Sequence, residues 1–110
     1  MDLERLYVFQ TNSPLTAEVR RAIDEQLAKE PVVYDRELTF KWLKRADEKF
    51  VRILIDPVTL EIVFFDNRAE VDGAAPAWAR LLFTKARKEE LKNRIESILT
   101  ATGLVTKDAA

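Results

Sequence analysis

The sequence predicts a two-layer α+β domain with a mainly antiparallel sheet, in the order strand, helix, three-stranded meander, long C-terminal helix. Three patterns carry this expectation. Apolar residues recur at helical spacing over residues 14–30, residues 32–65 follow a period of two, and residues 77–102 contain neither Gly nor Pro and stop at Gly103. Residues 1–104 are read as one domain and 105–110 as a C-terminal tail.

The first strand is expected at 3–10, "LERLYVFQ", from its Leu, Tyr, Val and Phe content. Ser13 is the expected N-cap of the first helix, with Pro14 in its first turn, where a missing N–H costs nothing. Leu15, Val19, Ala22, Ile23, Gln26 and Leu27 share one face of that helix, and Pro31 ends it.

A single long strand is expected over 32–45, with Tyr34, Leu38, Phe40 and Trp42 on its buried side. A four-residue turn at "ADEK" (46–49) would pair Lys44 with Val51, Trp42 with Ile53 and Phe40 with Ile55. Asp56 and Pro57 suit the first two positions of a type I turn. The pairing after it is expected as Ile55 with Leu60, Ile53 with Ile62 and Val51 with Phe64. A slip of two residues keeps every side chain on its own face.

The other face of this meander is mixed: Thr39, Lys41, Leu43, Phe50, Arg52, Leu54, Glu61, Val63 and Phe65. One helix covers one face, so the mixed face needs some other cover or stays partly wet. Residues 66–76, "DNRAEVDGAAP", read as a loop.

The final helix is expected to run from about 77 to 102, with Leu104 folding back on Leu99 after Gly103. Its apolar stripe changes sides. Trp78, Leu82 and Ala86 mark one stripe; Leu91, Ile95, Ile98, Leu99 and Thr102 mark another, roughly 140° away at 100° per residue. The charged stretch "TKARKEE" (84–90) separates them. Either the helix bends there or its halves meet different partners.

Composition narrows function. The 47% apolar and 34% charged content is that of a globular chain, and a net charge of −1 gives no global attraction to nucleic acid or anionic membrane. There is no cysteine and no histidine. Disulfides, thiolate chemistry, the usual general base and the commonest metal ligand are thereby absent. No signal-like N-terminus or membrane-length apolar run occurs, so a soluble, cytoplasmic protein is expected. With only Gly73 and Gly103 there is no phosphate-cradling loop.

Asp66, Glu70 and Asp72 invite a test for calcium. An EF-hand loop starting at Asp66 needs oxygen ligands at its third and twelfth positions and Gly at its sixth, where the chain has Arg68, Ala77 and Val71. The pattern fails. No cofactor or metal is expected, and no family motif emerges.

The function expected is therefore a non-catalytic protein-interaction domain, an adaptor, inhibitor or accessory factor acting as a homodimer. Its partner-binding residues would be Leu91, Ile95 and Ile98 on the late helical stripe and Phe65, Val63, Leu54 and Leu43 on the mixed face. The alternative is a nucleic-acid-associated protein using 41–52 and 85–94, each with five basic and two acidic residues. A small-ligand binder is third.

Overall fold

The structure, a computed structural model, describes residues 4–12, 14–29, 32–33, 36–46, 48–55, 57–76 and 85–104. Its elements are β1 (Glu4–Gln10), α1 (Ala17–Ala28), β2 (Val32–Val33), β3 (Arg36–Arg45), β4 (Glu48–Ile55), β5 (Val58–Phe64), β6 (Arg68–Ala74) and α2 (Lys85–Ala101). The sheet order is β1-β6-β5-β4-β3-β2, antiparallel throughout. The expected two-layer α+β class is the class observed.

Both described helices lie on one face. Ile23 and Leu27 of α1 and Leu91, Ile95 and Leu99 of α2 join Val51, Ile53, Leu60, Ile62, Ala69 and Val71 in a single core. Alternation supplies the sheet side of that core, one residue in two from each strand. Full burial of a Val, Leu or Ile stabilises by roughly 1.5–3 kcal/mol. Trp42 donates from Nε1 to Asp24 Oδ1 at 2.5 Å and lies under the Arg20 guanidinium, which holds α1 above β3. The Tyr7 hydroxyl donates to the Lys88 carbonyl, which holds α2 above the β1 edge.

Several local expectations are corrected. The N-cap of α1 is Thr16, whose hydroxyl accepts from the Val19 N–H at 3.1 Å. Pro14 precedes the helix, and Ser13 lies outside the described residues. The expected strand 32–45 is two strands: Val33 pairs with Arg36 and Val32 with Glu37 across a tight reversal. Tyr34 lies outside the described residues. Arg45 pairs with Glu48, so the β3–β4 turn has two residues and Trp42 opposes Val51. Ala46 takes φ 53° to make it, and an alanine gives no hint of a left-handed turn position. Ile55 pairs with Val58, a slip of two from the expected pairing that leaves the faces intact.

The largest correction is β6. Residues 68–74, read as loop, form a strand between β1 and β5. Its buried positions are Ala69, Val71, Gly73 and Ala74, of which only Val71 favours a strand by propensity. Space is tight at Gly73. The β1 register shifts between Arg5 and Tyr7, and a Cβ on Gly73 would stand 2.7 Å from Leu6 Cδ1.

The C-terminal end of α2 is as expected. Gly103 has φ 82°, its N–H donates to the Thr100 carbonyl at 3.0 Å, and Leu104 N–H donates to the Leu99 carbonyl at 3.1 Å. This is a Schellman ending with Leu104 buried against Leu99. The described helix begins within the charged stretch, at Lys85. Trp78 and Leu82 of the early stripe lie outside the described residues, and its third member, Ala86, is exposed.

Candidate functional site

Neither described helix lies on the second face of the sheet. Cross-strand pairing arranges that face in rows. One row runs Val8, Glu70, Val63, Phe50, Leu43; the next runs Arg5, Asp72, Glu61, Arg52, Lys41; a third runs Ala74, Thr59, Leu54, Thr39. The middle row is a charge ladder between two less polar rows.

The ladder has an unusual order. Asp72 and Glu61 are opposite one another, as are Arg52 and Lys41. Like charges directly opposite destabilise a sheet, so each acidic residue needs a cation from its other side. Arg5 Nε reaches Asp72 Oδ1 at 2.6 Å, and Arg5 Nη2 reaches Glu70 Oε1 at 3.0 Å. Its bond to Asp72 raises the Arg5 pKa above the ordinary arginine value. Arg68 Nε holds the other Glu70 oxygen at 2.9 Å. Glu70 and Asp72, expected in a solvated acidic loop, are thus members of an ion-pair network.

Glu61 is the centre of the face and is 1% exposed. Arg52 clasps its Oε2 through Nη2 at 2.8 Å and Nε at 3.0 Å. Arg45 Nη2 approaches Oε1 at 3.6 Å, beyond hydrogen-bonding distance, and Oε1 is buried with no hydrogen-bond donor. The Arg45 and Arg52 guanidinium groups also lie over the Phe50 ring, at 4.7 and 5.9 Å from its centroid. Alternation produces this cluster: Arg45, Phe50, Arg52 and Glu61 all point to the same side.

Beside the ladder is a groove of about 610 Å³, lined by Thr39, Phe40, Lys41, Arg52, Leu54, Thr59, Glu61 and Ala74. Leu54 is 43% exposed at its floor, and Val8, on the same face, is 49% exposed. They are the exposed large hydrophobic residues of the described chain.

The seven residues expected to bind partners are dispersed. Leu91 and Ile95 are 5% and 3% exposed and belong to the chain's own core, with Ile98 packed against it from a half-buried position. The late helical stripe faces the sheet, where Leu91, Ile95 and Leu99 form part of the chain's own core. Val63 is buried as well. Leu43 is half-buried beside Phe50, and Phe65 is half-buried under the Arg68 guanidinium, 4.1 Å from its ring centroid. Of the seven, only Leu54 is in the groove. Sequence reasoning placed Lys41, Arg52 and Glu61 on the mixed face without seeing the ladder, because its order depends on register.

Among the described residues no group of His, Cys, Asp and Glu could hold a metal ion, and no helix is long and apolar enough to cross a membrane. The basic segments do not form one surface. Alternation sends Lys41, Arg45 and Arg52 to the second face and Lys44 and Lys49 to the first, while residues 85–94 belong to α2 in the helical layer. No family model, no curated protein and no solved structure matches the chain.

Proposed function

We propose that the chain is a non-catalytic protein-interaction domain, an adaptor, inhibitor or accessory factor, working in the cytoplasm and binding its partner through the sheet face opposite the helices. The observation that carries this reading is Leu54, a large apolar side chain 43% exposed near the β4–β5 end of the sheet and lying in the groove. Exposed apolar surface ringed by polar groups favours contact with another molecule. Around it the ionisable groups are arranged for holding rather than for chemistry. The ladder's carboxylates are engaged by arginines, and the chain has neither His nor Cys to move a proton or attack a carbon.

Self-association, expected from the sequence through α2, is the alternative occupancy of this face that light scattering tests. A second reading, a small-ligand binder, is favoured by the groove's 610 Å³, within the usual range for ligand sites. The division of basic residues between faces and layers argues against nucleic acid.

A photo-crosslinking residue at position 54, and a control at Arg21 on the exposed side of α1, tests the reading. Adducts with a discrete protein partner at 54 and not at 21 are expected. Equal crosslinking at both positions, or none at 54, would remove the face from consideration. Light scattering adds the self-partner arm: a dimer of the wild type that Leu54→Asp converts to monomer identifies the partner as a second copy.

A further inference from the structure

We infer that the groove takes an extended peptide segment with an acidic side chain beside an apolar one. This rests on the sheet face being the binding surface.

The floor sets the shape. Thr39, Leu54, Thr59 and Ala74 are successive cross-strand neighbours over four strands. At roughly 4.8 Å between strands this row is about 14 Å long, the length of about four extended residues. Small or hydroxylated residues at Thr39, Thr59 and Ala74 leave the floor low, and Leu54 offers an apolar contact near its middle.

The wall sets the charge. Arg52 and Arg45 reach Glu61, Arg45 also standing opposite Glu48, while Lys41 stands opposite Arg52. Arg52 is committed to Glu61 Oε2, and Lys41, directly opposite Arg52, forms no ion pair with any described residue. That end of the groove carries excess positive charge, including a like-charged cross-strand pair that a bound carboxylate would relieve. Exposed Lys41 supplies the mobile ammonium and Arg52 the fixed edge.

Glu61 is itself too buried to meet a ligand: it is 1% exposed, with Oε1 buried on the Arg45 side and Oε2 held by Arg52. Its part is to hold Arg52 in place. Acidic side chain to Lys41 and apolar side chain to Leu54 together describe one short extended segment.

Display of random peptides of about seven residues on the immobilised full chain provides the probe. Selected sequences are then measured by fluorescence polarisation against wild type, Lys41→Glu, Glu61→Gln and Leu54→Asp, each checked for folding by circular dichroism. Selected peptides are expected to be enriched in Asp or Glu next to an apolar residue, and raised salt is expected to weaken them. Lys41→Glu is expected to weaken binding about tenfold or more, as loss of a charge-assisted contact does. Changing the peptide's acid to its amide should cost the wild type a similar factor and cost Lys41→Glu little. Peptides that need Leu54 but show no acidic enrichment and no response to Lys41→Glu would overturn this inference and leave the binding face standing. Failure to select any Leu54-dependent peptide would overturn both. A labelled single-stranded RNA bound in a Lys41-dependent way, or a wild-type dimer lost in Leu54→Asp, would assign the groove to a different occupant and equally overturn it.

Discussion

At the scale of single residues, three positions carry their cost visibly. Ala46 sits at φ 53° in a two-residue turn, where a Cβ is unfavourable. Ala46→Gly is expected to stabilise the protein by about 0.5–1 kcal/mol in urea unfolding, because the turn needs the conformation that glycine adopts freely. Gly73 is the converse. Ala at this position meets Leu6 Cδ1 at 2.7 Å, so Gly73→Ala is expected to destabilise by roughly 1–3 kcal/mol in the same assay. Glu61 is the third. Its carboxylate is buried and depends on Arg52, whose side chain is 41% exposed and so partly screened. Arg52→Met is expected to lower stability by about 1–3 kcal/mol by leaving a buried charge with only distant Arg45. Adding Glu61→Met is expected to recover much of that loss, since an apolar pair of similar volume strands no charge. Recovery absent from the double variant would mean that Arg52 matters for its stacking on Phe50 instead.

At the scale of elements, α2 separates its core face from its surface within four residues. Leu99 is wholly buried and Ile98 only half-buried. Leu99→Ala is expected to cost about 2–5 kcal/mol, a transfer loss plus a cavity. Ile98→Ala is expected to cost clearly less, and chemical unfolding of the two variants measures the contrast. Equal losses would mean that α2 is rotated from the position described. The Schellman end explains why the sequence marked the stop of this helix so well: Gly103 supplies the left-handed residue, and Leu104 closes over Leu99. The strand β6 was illegible for a related reason, since propensity recognises β-branched and aromatic residues and this strand has only Val71 of that kind, beside buried Ala69, Gly73 and Ala74.

At the scale of the molecule, both described helices share one face of a sheet whose two outer strands are β1 and β2. The radius of gyration is 13.5 Å and the longest extent 37 Å, so a 17-residue α2, about 26 Å long, lies within the domain rather than projecting from it. A late stripe bound into the core changes what oligomerisation can use. An Ile95→Asp variant is expected to unfold the monomer rather than merely dissociate a dimer, by burying an unpaired charge. Circular dichroism read beside light scattering makes the distinction: a folded Ile95→Asp monomer derived from a wild-type dimer would restore α2 as an interface.

The sequence by itself determined the class, the core face of β3 to β5 and the C-terminal end of α2. Those depend on local chemistry: alternation fixes which side a residue takes even when register slips by two, and a helix stop is written in a few adjacent residues. Only the tertiary structure decided what each apolar stripe meets and which charges become neighbours. Leu91 and Ile95 have the same spacing whether they face a sheet or a second chain, and the presence of β1, β6 and α1 around them makes the difference. The ladder of Arg5, Asp72, Glu61, Arg52 and Lys41 joins residues up to 67 positions apart. Its order follows from strand order and register, which arise from the summed packing of the five strands it crosses and are carried by no one of them.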